Sequence, residues 1–169
     1  MSFRVWDLIR LANLSEKHFR VSNHKNKQKG NYEYSNNLYN GAYYLDGKTY
    51  ITNGVWFFEI NSIINHDKLK MSIKAPTKNA FKEMWKDGLE EVSVDIENLF
   101  PMNNYLALKL GKSYFDSEML FNEIFNMFKN PSLKINKTEK NQYLQISEGD
   151  IKCIVAPLHE ALRGESHGV

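Results

Sequence analysis

The sequence predicts an α+β fold of repeated helix-plus-antiparallel-strand units, with helices packed on one face of antiparallel sheets. Three observations carry this. Asp46-Gly47 and Asn53-Gly54 each stand between β-branched or aromatic runs, the pattern of tight hairpin turns. Apolar residues recur at helical spacing in three separate stretches and alternate with polar ones in several more. Aromatic residues make up 13% of the 169-residue chain, which suits a strand-rich core.

The first helical stripe is Val5, Leu8, Ile9 and Ala12, with Arg4, Asp7 and Arg10 turned largely away and Ser2 placed to cap it. Residues 20–31 follow as a polar loop without apolar period, holding Lys25, Lys27 and Lys29, the only dense lysine cluster. It reads either as a phosphate-contacting loop or as a solvated connection. Residues 42–60 then read as a three-stranded meander, because a type I′ turn needs positive φ at both central positions and Asp-Gly and Asn-Gly tolerate it. Its run Val55-Trp56-Phe57-Phe58 holds more consecutive apolar residues than one buried strand face requires, so its second face meets a helix, another sheet or another chain, and part of the run, Trp56 the candidate, is expected at a protein interface.

Leu69, Met71 and Ile73 alternate with Lys70, Ser72 and Lys74 as a further strand over 69–75. A second helix follows Pro76, capped by Thr77, striped by Phe81, Met84 and Trp85, and ended by Asp87-Gly88. Val92, Val94 and Ile96 predict a half-buried strand, with Tyr105, Leu106, Leu108 and Leu110 as its neighbour; Asn98 to Asn103 connects them as a loop. The third helix has Asp116 as cap, Glu118 in the first turn, and Phe121, Ile124, Phe125 and Phe128 at i, i+3, i+4, i+7. Asn130-Pro131 stops it, and strands follow at 133–136, 143–147 and 151–155, the last two joined by Glu148-Gly149-Asp150. The element order gives one domain, 1–158, of about three units (3–62, 69–112 and 114–158), with a frayed polar tail over 159–169.

Composition bounds the function. A net charge of +2, from 22 basic and 20 acidic residues, does not by itself mark a nucleic-acid binder. Cys153 is the only cysteine, so no intrachain disulfide forms, and together with the absence of a signal-like N-terminus this predicts a cytoplasmic protein. The apolar runs are too short for a membrane helix, so no membrane role is expected. His18, His24, His66, His159 and His167 lack metal-ligand spacing, and Cys153 has no CxxC partner. With no glycine-rich phosphate loop and no nucleophile elbow, the sequence predicts neither enzyme nor cofactor nor metal site.

The element order, with a few short motifs, resembles the DNA sliding clamp family. Asp46-Gly47-Lys48-Thr49-Tyr50-Ile51-Thr52-Asn53-Gly54 is similar to the clamp hairpin, which usually reads aspartate-glycine, an alternating strand, then alanine-threonine-aspartate-glycine; Ile51 and Asn53 depart from it. Residues 73–78 and 109–113 are similar to the second half of a clamp domain, and 143–146 and 151–158 resemble its closing strands. The resemblance implies an outer layer of strands and helices lining a channel. A bacterial clamp subunit has six such units against about three here, and clamp channel helices are rich in lysine and arginine. Helix three instead offers Asp116, Glu118 and Glu123 against Lys129.

The resemblance therefore implies a non-enzymatic, DNA-replication-associated protein. It binds the bacterial sliding clamp and blocks its use of DNA, as a phage host-takeover inhibitor does, with Asp116, Glu118 and Glu123 facing basic channel residues. Leu99-Phe100 is a second contact candidate, because clamp-binding peptides commonly end in leucine-phenylalanine, with core packing the slightly favoured alternative for the pair. Leu120-Phe121 has the same letters but sits on a helical stripe, which reads as core. Two alternatives stand beside the inhibitor: a small clamp-like processivity factor that oligomerises around DNA, with direct DNA binding open, and a dimeric regulatory or structural module. A homodimer or higher oligomer is expected in any of these readings.

Overall fold

The computed structural model describes residues 6, 7, 9, 10, 12, 13, 40–74, 76–102 and 105–158. It mixes mostly antiparallel sheets with a few short helices. Among the described residues no helix is long and apolar enough to cross a membrane. The chain divides into two compact units, Met1–Trp85 with Gly149–Cys153, and Lys86–Glu148 with Ile154–Val169.

In the first unit, residues 6, 7, 9, 10, 12 and 13 are helical, with Ile9 and Ala12 buried and Arg10 exposed, as the stripe predicts. The meander forms as β1 (Gly41–Leu45), β2 (Lys48–Thr52) and β3 (Trp56–Ile60), each antiparallel to the next. Asp46 and Gly47 both take positive φ, 52° and 75°, as a type I′ turn requires. The second turn differs: only Gly54 is left-handed, and Asn53 Oδ1 instead accepts the N–H groups of Val55 and Trp56 at 2.8 and 2.9 Å. The amide side chain thus replaces the backbone bond that a type I′ turn would make.

The predicted strand over 69–75 is absent. Residues 70–72 form one bridge to Ala42, whose N–H donates to Lys70 O and whose carbonyl accepts from Ser72 N–H. With no ladder beyond it, Ile73 stays 75% exposed. The second helix is shorter than predicted, and α1 spans Ala80–Met84. Asn79, not Thr77, caps it, its Oδ1 accepting from Lys82 N–H at 3.0 Å, because the helix begins three residues later than Thr77. Phe81 is the buried member of its stripe and meets Phe57 at 5.2 Å and Tyr50 at 5.8 Å between ring centroids. Tyr43 stacks on Tyr50 at 5.1 Å, so this core is largely aromatic.

In the second unit the predicted strand over Val92 to Ile96 reduces to β4 (Glu90–Glu91), which pairs with β8 (Ser132–Ile135). Val92 still donates to Leu133 O, but Ile96 enters a 3₁₀ turn and is 82% exposed. Its predicted neighbour does form, as β6 (Tyr105–Leu110), between β5 (Leu99–Met102) and β7 (Ser113–Asp116) in a separate three-stranded sheet. β5 overturns the predicted loop at Asn98 to Asn103. Its residues are apolar, and Leu99 lies opposite Leu108, which lies opposite Phe115; the latter two are fully buried.

The third helix, α2, begins as an α-helix at Ser117–Met119, widens to a π-helix at Leu120–Ile124 and tightens to a 3₁₀ turn at Phe125–Met127. Asp116 caps it as predicted, accepting from Met119 N–H at 3.1 Å. Its buried residues are Ser117, Met119, Leu120, Ile124 and Met127; of the predicted stripe Ile124 is buried, Phe125 and Phe128 are half-buried and Phe121 is exposed. Leu120, Ile124 and Met127 themselves stand at i, i+4, i+7, so the buried stripe runs one residue off the predicted phase, and Phe125 N–H donates to Leu120 O, five residues back, within it. The closing strands β9 (Leu144–Glu148) and β10 (Ile151–Val155) form as predicted. The Gln145 side chain brackets the Lys86 backbone, accepting its N–H at 2.6 Å and donating to its carbonyl at 2.8 Å.

Candidate functional site

The segment from β7 into α2 brings together the acidic positions singled out in the sequence. Asp116 is half-buried and its carboxylate is engaged as the helix cap. Glu118, two residues on, is exposed in the first turn, where the helix dipole favours an anion. Glu123 is half-buried on the π-helical turn. Phe121, 43% exposed, stands three residues from Glu118, and its ring meets the half-buried Phe125 edge to face at 5.5 Å. Glu118, Phe121 and Asn122 are all exposed, so this segment shows solvent an acidic residue, an aromatic ring and an amide.

The other candidates are placed differently. Leu99 is half-buried in β5, so Leu99-Phe100 is not a free peptide; Phe100 alone presents its side chain, 44% exposed. Its ring lies edge to face against Tyr114 at 5.4 Å. Trp56 is 1% exposed and lies in the core, edge to face with Phe58 at 5.5 Å; a partner at this strand would meet exposed Val55 instead. Trp56 Nε1 and Asn53 Nδ2 have no acceptor among the described residues. Lys25, Lys27 and Lys29 lie outside the described residues.

Two groups of residues were not singled out from sequence. Tyr114 and Lys109 share a face with Phe100, a relation that only the pairing of β5, β6 and β7 creates. In the first unit a buried network joins Tyr50, Glu59, Lys48 and Asn79. Tyr50 donates to Glu59 Oε2 at 2.9 Å, Lys48 Nζ lies 3.5 Å from Glu59 Oε1, and Asn79 Nδ2 donates to the Tyr50 oxygen at 3.3 Å. Burial, and next to it the Glu59 carboxylate, pushes the Tyr50 hydroxyl up to about 12, and Tyr43 is raised further by burial. Both phenols are thus held neutral, and the network serves the core. Cys153 is fully buried, and burial raises its thiol well above the usual range, so it is no nucleophile in the folded chain.

Comparison of the chain with protein-family models, with curated proteins and with solved structures gives no match.

Proposed function

We propose that the chain is a non-enzymatic binding protein that engages the bacterial DNA sliding clamp and blocks its use of DNA, in the manner of a phage host-takeover inhibitor. The observation that carries this reading is the exposure of both Glu118 and Phe121, three residues apart on α2. A clamp channel lined by lysine and arginine is complementary to an acidic helical segment, and charge complementarity steers encounter and fixes register. Aromatic side chains rimmed by polar groups supply the energy of such contacts. The sequence resemblance of the meander and the closing strands to clamp domains supports the same partner, with repeated helix-and-strand units as the basis of mimicry. The segment that would face DNA in a true clamp is acidic here, which disfavours sliding over phosphates, since repulsion replaces counterion release.

The test is size-exclusion chromatography of the full chain with a purified bacterial clamp and, separately, with duplex DNA. Co-elution with the clamp alone, lost in Glu118→Lys, is the expected result. Co-elution with duplex DNA alone favours the processivity-factor reading, and co-elution with neither, together with self-association, the dimeric module.

A further inference from the structure

The face of the β5-β6-β7 sheet that carries Phe100 also carries cations. Phe100 lies opposite Ala107, and Tyr114 lies opposite Lys109. Lys109 is two residues past Ala107, and strand side chains alternate, so Phe100, Lys109 and Tyr114 share one face. Lys109 Nζ sits 5.6 Å from the Tyr114 ring centroid, on the ring that Phe100 meets edge to face. Beyond Lys109, the hairpin tip brings Lys112 into a parallel bridge with Lys140. Gly111, left-handed at φ 60°, lets the tip approach so closely that a Cβ there would lie 2.9 Å from Lys137 Cα. Lys109, Lys112 and Lys140 are exposed and make no ion pair among the described residues, whereas Lys48 and Lys137 are paired with Glu59 and Glu90. Among nearby acids, Asp116 is on the same face and engaged as a helix cap, Glu139 lies beside Lys140, and exposed Glu97 adjoins Asn98, whose Nδ2 donates to Lys109 O.

The outer edge of β5 does not invite an added strand. Leu99 N–H donates to Ile96 O, and Pro101, which shares that edge, has no N–H. A ligand here contacts side chains: one exposed ring and a line of cations. We propose that this face binds single-stranded nucleic acid, with a base stacked on Phe100 and phosphates drawn along Lys109, Lys112 and Lys140. Ring plus cation suits a chain that alternates bases and phosphates, because every base has a π-face. An acidic peptide satisfies the lysines and leaves the ring without a stacking partner.

Fluorescence anisotropy of the full chain with a labelled oligothymidine of about 15 nucleotides, over a range of salt, tests this. Binding weakens with salt, and Lys112→Glu and Lys140→Glu, at exposed positions that leave the core intact, each lower the log–log salt slope by about 0.7. Phe100→Ala weakens binding about tenfold at unchanged slope. The proposal is overturned if the wild-type chain does not bind at low salt, if Phe100→Ala binds as tightly, or if polyglutamate of equal charge competes as well as unlabelled oligothymidine. Clamp co-elution of the lysine variants, measured in parallel, stays intact if the two surfaces are separate; its loss together with oligothymidine binding overturns a separate site.

Discussion

The Tyr50 hydroxyl donates to Glu59 Oε2 at 2.9 Å between residues that the β2–β3 register sets directly opposite one another. Both residues are buried, and the other carboxylate oxygen faces Lys48. Removing the hydroxyl leaves a buried carboxylate short of one donor, whose cost exceeds the net worth of an ordinary hydrogen bond. Tyr50→Phe should therefore destabilise the chain by about 1.5–3 kcal/mol, read from urea unfolding, although it deletes a single oxygen. A loss below about 0.5 kcal/mol would show that Lys48 alone satisfies Glu59.

The same network sets an alkaline limit. The Tyr50 hydroxyl is pushed up to about 12 from its ordinary 10, and Tyr43 is raised as well. A folded state that holds these protons more tightly than the unfolded chain is favoured fully below pH 10, and the advantage falls as pH rises through 10 towards 12. Stability should decline across that window, with phenolate absorbance of two tyrosines appearing in step with loss of far-ultraviolet circular dichroism. Ionisation of every tyrosine before any loss of structure would contradict this.

Two turn glycines separate backbone conformation from crowding. Gly47 has φ 75° and open space where a Cβ would stand; Gly111 has φ 60° and a Cβ position 2.9 Å from Lys137 Cα. Gly47→Ala should cost about 1 kcal/mol, the penalty of a left-handed residue. Gly111→Ala adds a backbone clash and should cost about 2–3 kcal/mol. Equal losses in thermal or urea unfolding would mean that the tip relaxes away from Lys137.

Why some of this was legible in the sequence and some was not follows from what each signal depends on. The Asp46-Gly47 turn depends on local chemistry, and it forms where the sequence predicts it. Alternation, by contrast, says only that a strand would have two unlike faces. Met71 and Ile96 alternate as cleanly as Ile151 and Cys153, but the pairing of their segments stops at Ala42 and at Leu133, short of a full ladder. β5 was hidden by Asn98, Pro101 and Asn103, turn residues by type, although three large apolar residues stand between them where turn residues are expected. The face shared by Phe100, Lys109 and Tyr114 exists only through register, which no single segment encodes.

Cys153 provides a probe of global opening. It is fully buried in β10 and its thiol is raised by burial, and both the lost access and the disfavoured thiolate oppose reaction with disulfide or maleimide reagents in the folded chain. Labelling in native buffer should be slower than that of a free cysteine by orders of magnitude and should accelerate with urea in proportion to the unfolded fraction. Rapid labelling without urea would reveal local opening of β10.

Leu120 and Phe121 are adjacent on α2 and have opposite environments, Leu120 fully buried and Phe121 exposed on the turn above Glu118. The helical spacing of the sequence pointed to Phe121 as core, but the equally regular stripe Leu120, Ile124 and Met127 is the one that is buried. Leu120→Ala should cost about 2–5 kcal/mol, the loss of a buried side chain plus the cavity left behind. Phe121→Ala should change stability by less than about 0.5 kcal/mol. If α2 is the contact face, Phe121→Ala should instead weaken clamp binding by about 2 kcal/mol, as a central aromatic contact does, while Leu120→Ala binds in proportion to its folded fraction. Isothermal titration with a purified clamp alongside urea unfolding separates the two. A Phe121→Ala chain that is stable and binds as tightly as wild type removes α2 as the contact face.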